Sequence, residues 1–173
     1  MQNKAIVIID IQNDITKNYK EIIDNINQAI EWAVHQAIHV VYIRHENLSA
    51  GTRTFKPNTP GAELVSDMKM VSENVFTKSK GNALTSEEFA DFIRKNEICD
   101  FIIAGADAVA CVKSTVFNLR KENYGVNVLA DCITSYDKRK IDEMLRYYES
   151  KGSKIIGLND LLSNAIVEGW EHS

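Results

Sequence analysis

Three side chains capable of covalent chemistry each follow a short apolar run in this sequence. Asp10 ends Ala5-Ile6-Val7-Ile8-Ile9, Lys78 ends Asn74-Val75-Phe76-Thr77, and Cys111 closes the loop that leaves Phe101-Ile102-Ile103-Ala104. A thiolate can attack a carbonyl carbon, a carboxylate can take the thiol's proton, and an ammonium can stabilise the charges that result. Asp10 abuts five apolar residues, so its carboxylate is expected to be partly buried and to need a cationic partner, which Lys78 could supply. Cys111 falls where a loop turns into a helical pattern, a setting of free backbone N–H groups and positive helix dipole that lowers a thiol's pKa. Taken singly, each residue has a plainer reading. Asp10 could cap a turn, Lys78 could be surface charge, with Lys80 as the alternative lysine, and Cys111 could be a small buried apolar side chain.

Competing motifs are incomplete. The segment Gly105 to Thr115 ends in Lys113-Ser114-Thr115, but Val112 stands where a P-loop needs glycine. No G-x-G-x-x-G follows the first apolar run, and no G-x-S-x-G elbow is present. Of four histidines, His45 alone lies near the candidate residues; His35 and His39 bracket a helix end and His172 is near the last residue. That spacing leaves no two- or three-histidine zinc site, so neither a metal nor another cofactor is expected. The plainer reading of His45 is a loop histidine bonded to backbone, and that of Asp14 is a turn cap.

The elements that must position these groups are legible as an alternation. Apolar runs at Ala5–Ile9, Val40–Ile43, Phe101–Ala104, Val126–Ala130 and Lys154–Gly157 read as strands, with a weaker one at Asn74–Thr77. Between them, Ile22, Ile23, Ile26, Ala29, Ile30, Ala33 and Val34 repeat at helical spacing. Thr85-Ser86-Glu87-Glu88 has capping-box form with Thr85 as the cap, Lys113–Asn123 and Tyr136–Ser150 look helical, and a short helix is expected after Asn159. Strands that are apolar throughout belong to a parallel sheet covered on both faces, here an α/β three-layer sandwich with six strands. Ligands bind such sheets at the carboxyl ends of the strands, which is where Asp10, Lys78 and Cys111 all fall. The long irregular stretch His45–Pro60, which holds both prolines, is a further candidate for function.

Composition sets the remaining bounds. The 173 residues, 45% of them apolar and 25% charged, suit a single domain spanning residues 1–173. A net charge of −4 argues against nucleic acid as partner, and the basic run Lys138-Arg139-Lys140 reads as a solvated helix start. The first apolar run is too short for a signal peptide or a membrane span. Cys99, Cys111 and Cys132 are odd in number and widely spaced, which fits free thiols in the cytoplasm rather than disulfides.

Taken together, the motifs resemble those of the isochorismatase-like hydrolases. Asp10-Ile11-Gln12-Asn13-Asp14 is similar to their D-x-Q-N-D opening. Lys78 ahead of Gly81-Asn82-Ala83-Leu84 resembles their lysine before a Ser-Ala-Phe-type turn, Gly105 through Cys111-Val112 their G-x-x-x-x-x-C-V segment, and Val128-Leu129-Ala130-Asp131 the strand and Asp that follow. The resemblance covers nearly the whole chain. It implies a cysteine hydrolase with Asp10 as general base, Lys78 stabilising the charged pair and Cys111 as nucleophile, cleaving an amide or ureide through a thioester. It implies an oxyanion hole from the backbone N–H groups of Asp107 and Cys111, a cis bond at Ala106–Asp107, and a substrate pocket lined by Gln12, Ile15 and His45. It also implies a small-molecule substrate and a homo-oligomer, a dimer or larger. The sequence departs from the family pattern at Ala108, often Thr, and Ile15, commonly Phe, and it lacks the Asp-x-His metal set of nicotinamidases. An enol-ether hydrolase, or a non-catalytic binding module on the same fold, are the alternatives.

Overall fold

In the computed structural model, which describes residues 3–16 and 19–163, six strands form one parallel sheet. They are β1 (Lys4–Ile9), β2 (His39–His45), β3 (Val75–Lys78), β4 (Asp100–Ala106), β5 (Gly125–Thr134) and β6 (Lys154–Ile156). Their order is β3-β2-β1-β4-β5-β6, and every pairing is parallel. The helices are α1 (Asn13–Thr16), α2 (Ile23–His35), α3 (Glu87–Lys95), α4 (Cys111–Lys121), α5 (Ile141–Ser150) and α6 (Leu158–Leu162). Among the described residues no helix is long and apolar enough to cross a membrane.

Both faces of the sheet are covered, which is why β1 is apolar at every position after Lys4. Ile6 and Ile8 enter one core with Ile26, Ile30 and Ala33 of α2. Ala5, Val7 and Ile9 enter the other with Phe89 of α3, Val116 of α4 and Tyr148 of α5. Each fully buried isoleucine contributes roughly 1.5–3 kcal/mol relative to an exposed one. The sheet is therefore a rigid plate from which the strand ends project.

Several boundaries differ from the sequence reading, each for a local reason. The Thr85 hydroxyl donates to the Asn82 carbonyl at 2.6 Å inside a 3₁₀ turn, so the cap of α3 passes to Ser86, whose Oγ accepts from Phe89 N. The 3₁₀ turn Lys138–Lys140, capped by Asp137 accepting from Arg139 N, delays α5 to Ile141. Strand β5 extends past Ala130 to Thr134 because the β4–β5 ladder resumes after a register shift between Ile103 and Gly105. Helix α4 begins at Cys111 itself. His172 lies outside the described residues.

The strand order reverses between β1 and β4, the two central strands. A crevice at the carboxyl ends of these strands is where an open α/β sheet binds ligands. The chain leaving β1, the end of β2, the end of β3 and the loop from β4 into α4 all meet there.

Candidate active site

Asp10 follows β1 with φ of 56°, a left-handed conformation that Asp tolerates better than most residues. Its amide donates to Ile43 O of β2 at 3.0 Å, which anchors the turn. On the neighbouring strand, Gly105 has φ of 120°, and a Cβ there would sit 2.2 Å from Ile9 O. Only glycine lets β4 lie this close to the end of β1. One residue further on, the peptide bond Ala106–Asp107 is cis.

The loop from there to α4 is fixed by the side chain of Asp107. Its carboxylate accepts from Tyr19 Oη at 2.8 Å, Ser135 Oγ at 2.8 Å, Tyr136 N at 2.9 Å and Val109 N at 3.0 Å. Burial alone would raise this carboxyl, but the four donors hold it below the ordinary carboxylate range. The Tyr19 phenol is pushed up by its burial and by Asp107. Cys111 then stands at the first position of α4, half-buried, where its own N–H has no acceptor within the helix.

Lys78 brings the parts together. Its side chain is buried, and Nζ donates to Asp10 Oδ2 at 3.2 Å, to Cys111 Sγ at 3.3 Å and to His45 Nδ1 at 2.8 Å. The ammonium's three N–H groups thus meet three acceptors. Asp10 Oδ1 is buried and has no hydrogen-bond partner among the described residues. Burial pushes the Asp10 carboxyl up, and Lys78 opposes that shift. The Cys111 thiol is also raised, to about 12, first by burial and then by the charge of Asp10.

That last direction corrects the expectation of a lowered thiol pKa. A helix N-terminus is worth about 0.3–1 kcal/mol to a nearby anion, and up to about 2 in favourable geometry. Burial and a full negative charge alongside outweigh it. The Cys111 thiol thus lies within 4.8 Å of the Asp10 carboxyl group, and burial works against the charged form of both.

The remaining candidates divide. His45 belongs to the cluster and bonds side chains, contrary to its plainer reading as a backbone-bonded loop histidine. Gln12 is fully buried, and its carboxamide is taken up by the chain. Oε1 accepts from His45 N at 2.8 Å, while Nε2 donates to His45 O at 2.9 Å and Ala62 O at 2.7 Å. It clamps β2 to the following loop rather than presenting polar atoms to a substrate. Ile15, half-buried on α1, packs against the α2-side core. Ala108 is fully buried, with its N–H on Thr134 O. Lys80 is exposed, Cys99 is exposed at the amino end of β4, and Cys132 lies in the α2-side core.

Sequence reasoning did not find Tyr19, Asn47 or Phe55. Phe55 is buried in the long loop, its ring 6.0 Å from that of His45 and its N–H on Asp14 Oδ2 at 2.7 Å. Asp14 thus pins that loop to α1, beyond its expected role as a turn cap. A lone aromatic in a polar loop was the available signal for Phe55.

Carboxylate, imidazole and sulfur donors of Asp10, His45 and Cys111 all lie within 4.8 Å of one another, close enough for one divalent cation. The Lys78 ammonium bonds to all three residues, so the protonated site already holds its cation and does not fit a metal alongside it. Surface clefts of about 400 and 370 Å³ share Val109 and Lys113 in their walls; the first also has Asp107 and the second Ala110, and neither is lined by Asp10, Lys78 or Cys111.

Residues 4–160 match the isochorismatase domain family. The chain belongs to the isochorismatase family of hydrolases. A protein of Arabidopsis thaliana described as a "Probable inactive nicotinamidase" is 26% identical, over 75% of this chain and 80% of its own. An isochorismatase family protein from Desulfovibrio vulgaris superposes with a TM-score of 0.87 at 17% identity, over 96% of this chain and all of the other (100%). N-carbamoylsarcosine amidase from Thermoplasma acidophilum gives a TM-score of 0.80 at 18% identity, covering 91% of this chain and 97% of its own. Likeness at that identity is likeness of fold.

Proposed function

We propose that this family member is a cysteine-dependent hydrolase that cleaves the C–N bond of a small amide or ureide through a thioester. The observation that carries the reading is the buried Lys78 ammonium lying 3.2 Å from the buried Asp10 carboxyl and 3.3 Å from Cys111 Sγ at the carboxyl ends of the strands. The amidase among the structural neighbours supports the choice of bond.

In this reading Asp10 takes the thiol proton as Cys111 Sγ bonds to the substrate carbonyl carbon. The carbonyl oxygen becomes an oxyanion, held by the N–H groups of Cys111 and Asp107. Collapse breaks the C–N bond, and Asp10 returns the proton to the leaving nitrogen. Asp10 then takes a proton from water as its oxygen attacks the thioester carbon, and returns it to the departing sulfur, which releases the acid and restores the Cys111 thiol and the Asp10 carboxylate. Lys78 stays protonated and offsets the negative charge as it moves between oxygen and sulfur.

We place the working form as a homo-oligomer in the cytoplasm. Three free thiols suit a reducing compartment. Exposed Val109, Phe117 and Tyr136 near Cys111 offer an apolar surface for a second copy. A screen of small amides and ureides for ammonia release tests the activity. Release that disappears in Cys111→Ala supports it, whereas hydrolysis of enol ethers that survives Cys111→Ala, or ligand binding without turnover, contradicts it.

A further inference from the structure

With Lys78 as an ammonium, the hydrogen bonds around His45 determine its tautomer. An ammonium can only donate, so His45 Nδ1, 2.8 Å from Lys78 Nζ, must carry the lone pair. At the other nitrogen, His45 Nε2 meets Asn47 Oδ1 at 2.7 Å. The orientation of that amide is itself fixed, because Asn47 Nδ2 donates to the Thr54 carbonyl at 2.7 Å and a carbonyl can only accept. Nε2 therefore carries the proton and donates it. The chain Thr54 O, Asn47, His45, Lys78 is directional from end to end.

The rest of the imidazole's surroundings hold it in place. Gln12 brackets the His45 backbone on both sides, Glu46 N donates to Lys78 O at 2.8 Å, and the Phe55 ring packs edge-on. The ionisable groups gathered around the ring are Lys78, Asp10 and Cys111, with Arg44 and Glu46 its chain neighbours.

We propose that His45 is a positioning residue, which through Nδ1 holds the Lys78 ammonium between Asp10 and Cys111 in a tautomer set by Asn47. Two acceptors alone would leave one N–H of a flexible lysine undirected. The third closes the cradle and ties the catalytic cation to the loop that carries Asn47 and Thr54. The inference rests on the reading of Cys111 as the attacking group, and it adds a residue that acts through Lys78 without touching the substrate.

The test uses the thiol itself, so no substrate is required. In a Cys99→Ser background, the rate of Cys111 alkylation by iodoacetamide is followed across the alkaline range. His45→Asn keeps an acceptor where Nδ1 was but loses the ring. His45→Phe keeps the ring but has no acceptor. If the acceptor matters, His45→Asn stays within about threefold of the parent rate at fixed pH, and His45→Phe falls about tenfold or more, its profile displaced to higher pH. A role in packing alone predicts the reverse order, and that order, or a parental rate in His45→Phe, overturns the proposal. A parental rate in Lys78→Met is a separate result: it removes the reading of the trio and this proposal with it. Side-chain ¹⁵N spectra of the parent protein give a second measurement independent of variant folding. They should show His45 with Nε2 protonated and an Nδ1 signal that moves in Lys78→Met; an Nδ1–H imidazole overturns the proposal.

Discussion

The side-chain nitrogen of Lys78 lies 3.3 Å from the sulfur of Cys111, although 33 positions separate the two in sequence. One ends the edge strand β3 and the other opens α4, so the contact exists only because β2, β1 and β4 stand between them in one rigid sheet. The same nitrogen lies 3.2 Å from Asp10.

Replacing Asp10 with Asn should move two measurements in opposite directions. Hydrolysis should fall on the order of 10²–10⁴-fold, because the general base is gone. Alkylation of Cys111 near neutral pH should instead become faster, because removing the carboxylate's charge while Lys78 stays lowers the thiol's pKa. A parallel loss of both would mean that Asp10 serves only to hold the fold.

In the parent protein, Cys111 should react slowly with iodoacetamide at neutral pH. A raised thiol pKa leaves less thiolate at any given pH below it, so the rate should keep climbing well past the range of an ordinary cysteine. A rate that levels off near neutrality would show a lowered thiol and would restore the helix dipole as the dominant influence.

Lysine replacements should separate the two neighbours. Lys78→Met leaves the buried Asp10 carboxylate without its cation and should cost about 3 kcal/mol or more of stability along with activity. Lys80→Ala removes an exposed side chain and should stay within about 0.5 kcal/mol. Urea unfolding of the two variants side by side checks this; equal midpoints would contradict the burial of Lys78.

Gln12→Ala should act on the fold first. It removes the acceptor of the His45 N–H and an amide donor from the His45 carbonyl, while Ala62 O keeps its bond from Arg44, and should cost about 2 kcal/mol or more in thermal or urea unfolding. A fully stable variant with altered substrate preference would return Gln12 to the substrate pocket.

The alternation of apolar runs and helical spacing made the sheet legible, because strands buried on both faces carry no polar interruptions. Asp10, Lys78 and Cys111 were legible as a set because each follows a strand that ends at the same edge. The partners of Asp107 and His45 were not. Tyr19, Ser135 and Tyr136 reach Asp107 from elements distant in sequence, and Asn47 reaches His45 from within an irregular loop, so no periodicity marks them. The raised thiol was not legible because helix position is visible in sequence, whereas depth of burial and the nearness of a carboxyl group are not.

The central claim is that Cys111 carries the acyl group. Incubation with p-nitrophenyl acetate, followed by rapid quenching and peptide mass spectrometry, tests it without knowledge of the natural substrate. The account predicts a burst of one p-nitrophenolate per chain and one acetyl group on the Cys111 peptide, which then decays by hydrolysis and is absent in Cys111→Ala and much reduced in Asp10→Asn. Acetyl groups on the exposed Cys99 alone, or a burst that persists in Cys111→Ala, would contradict it.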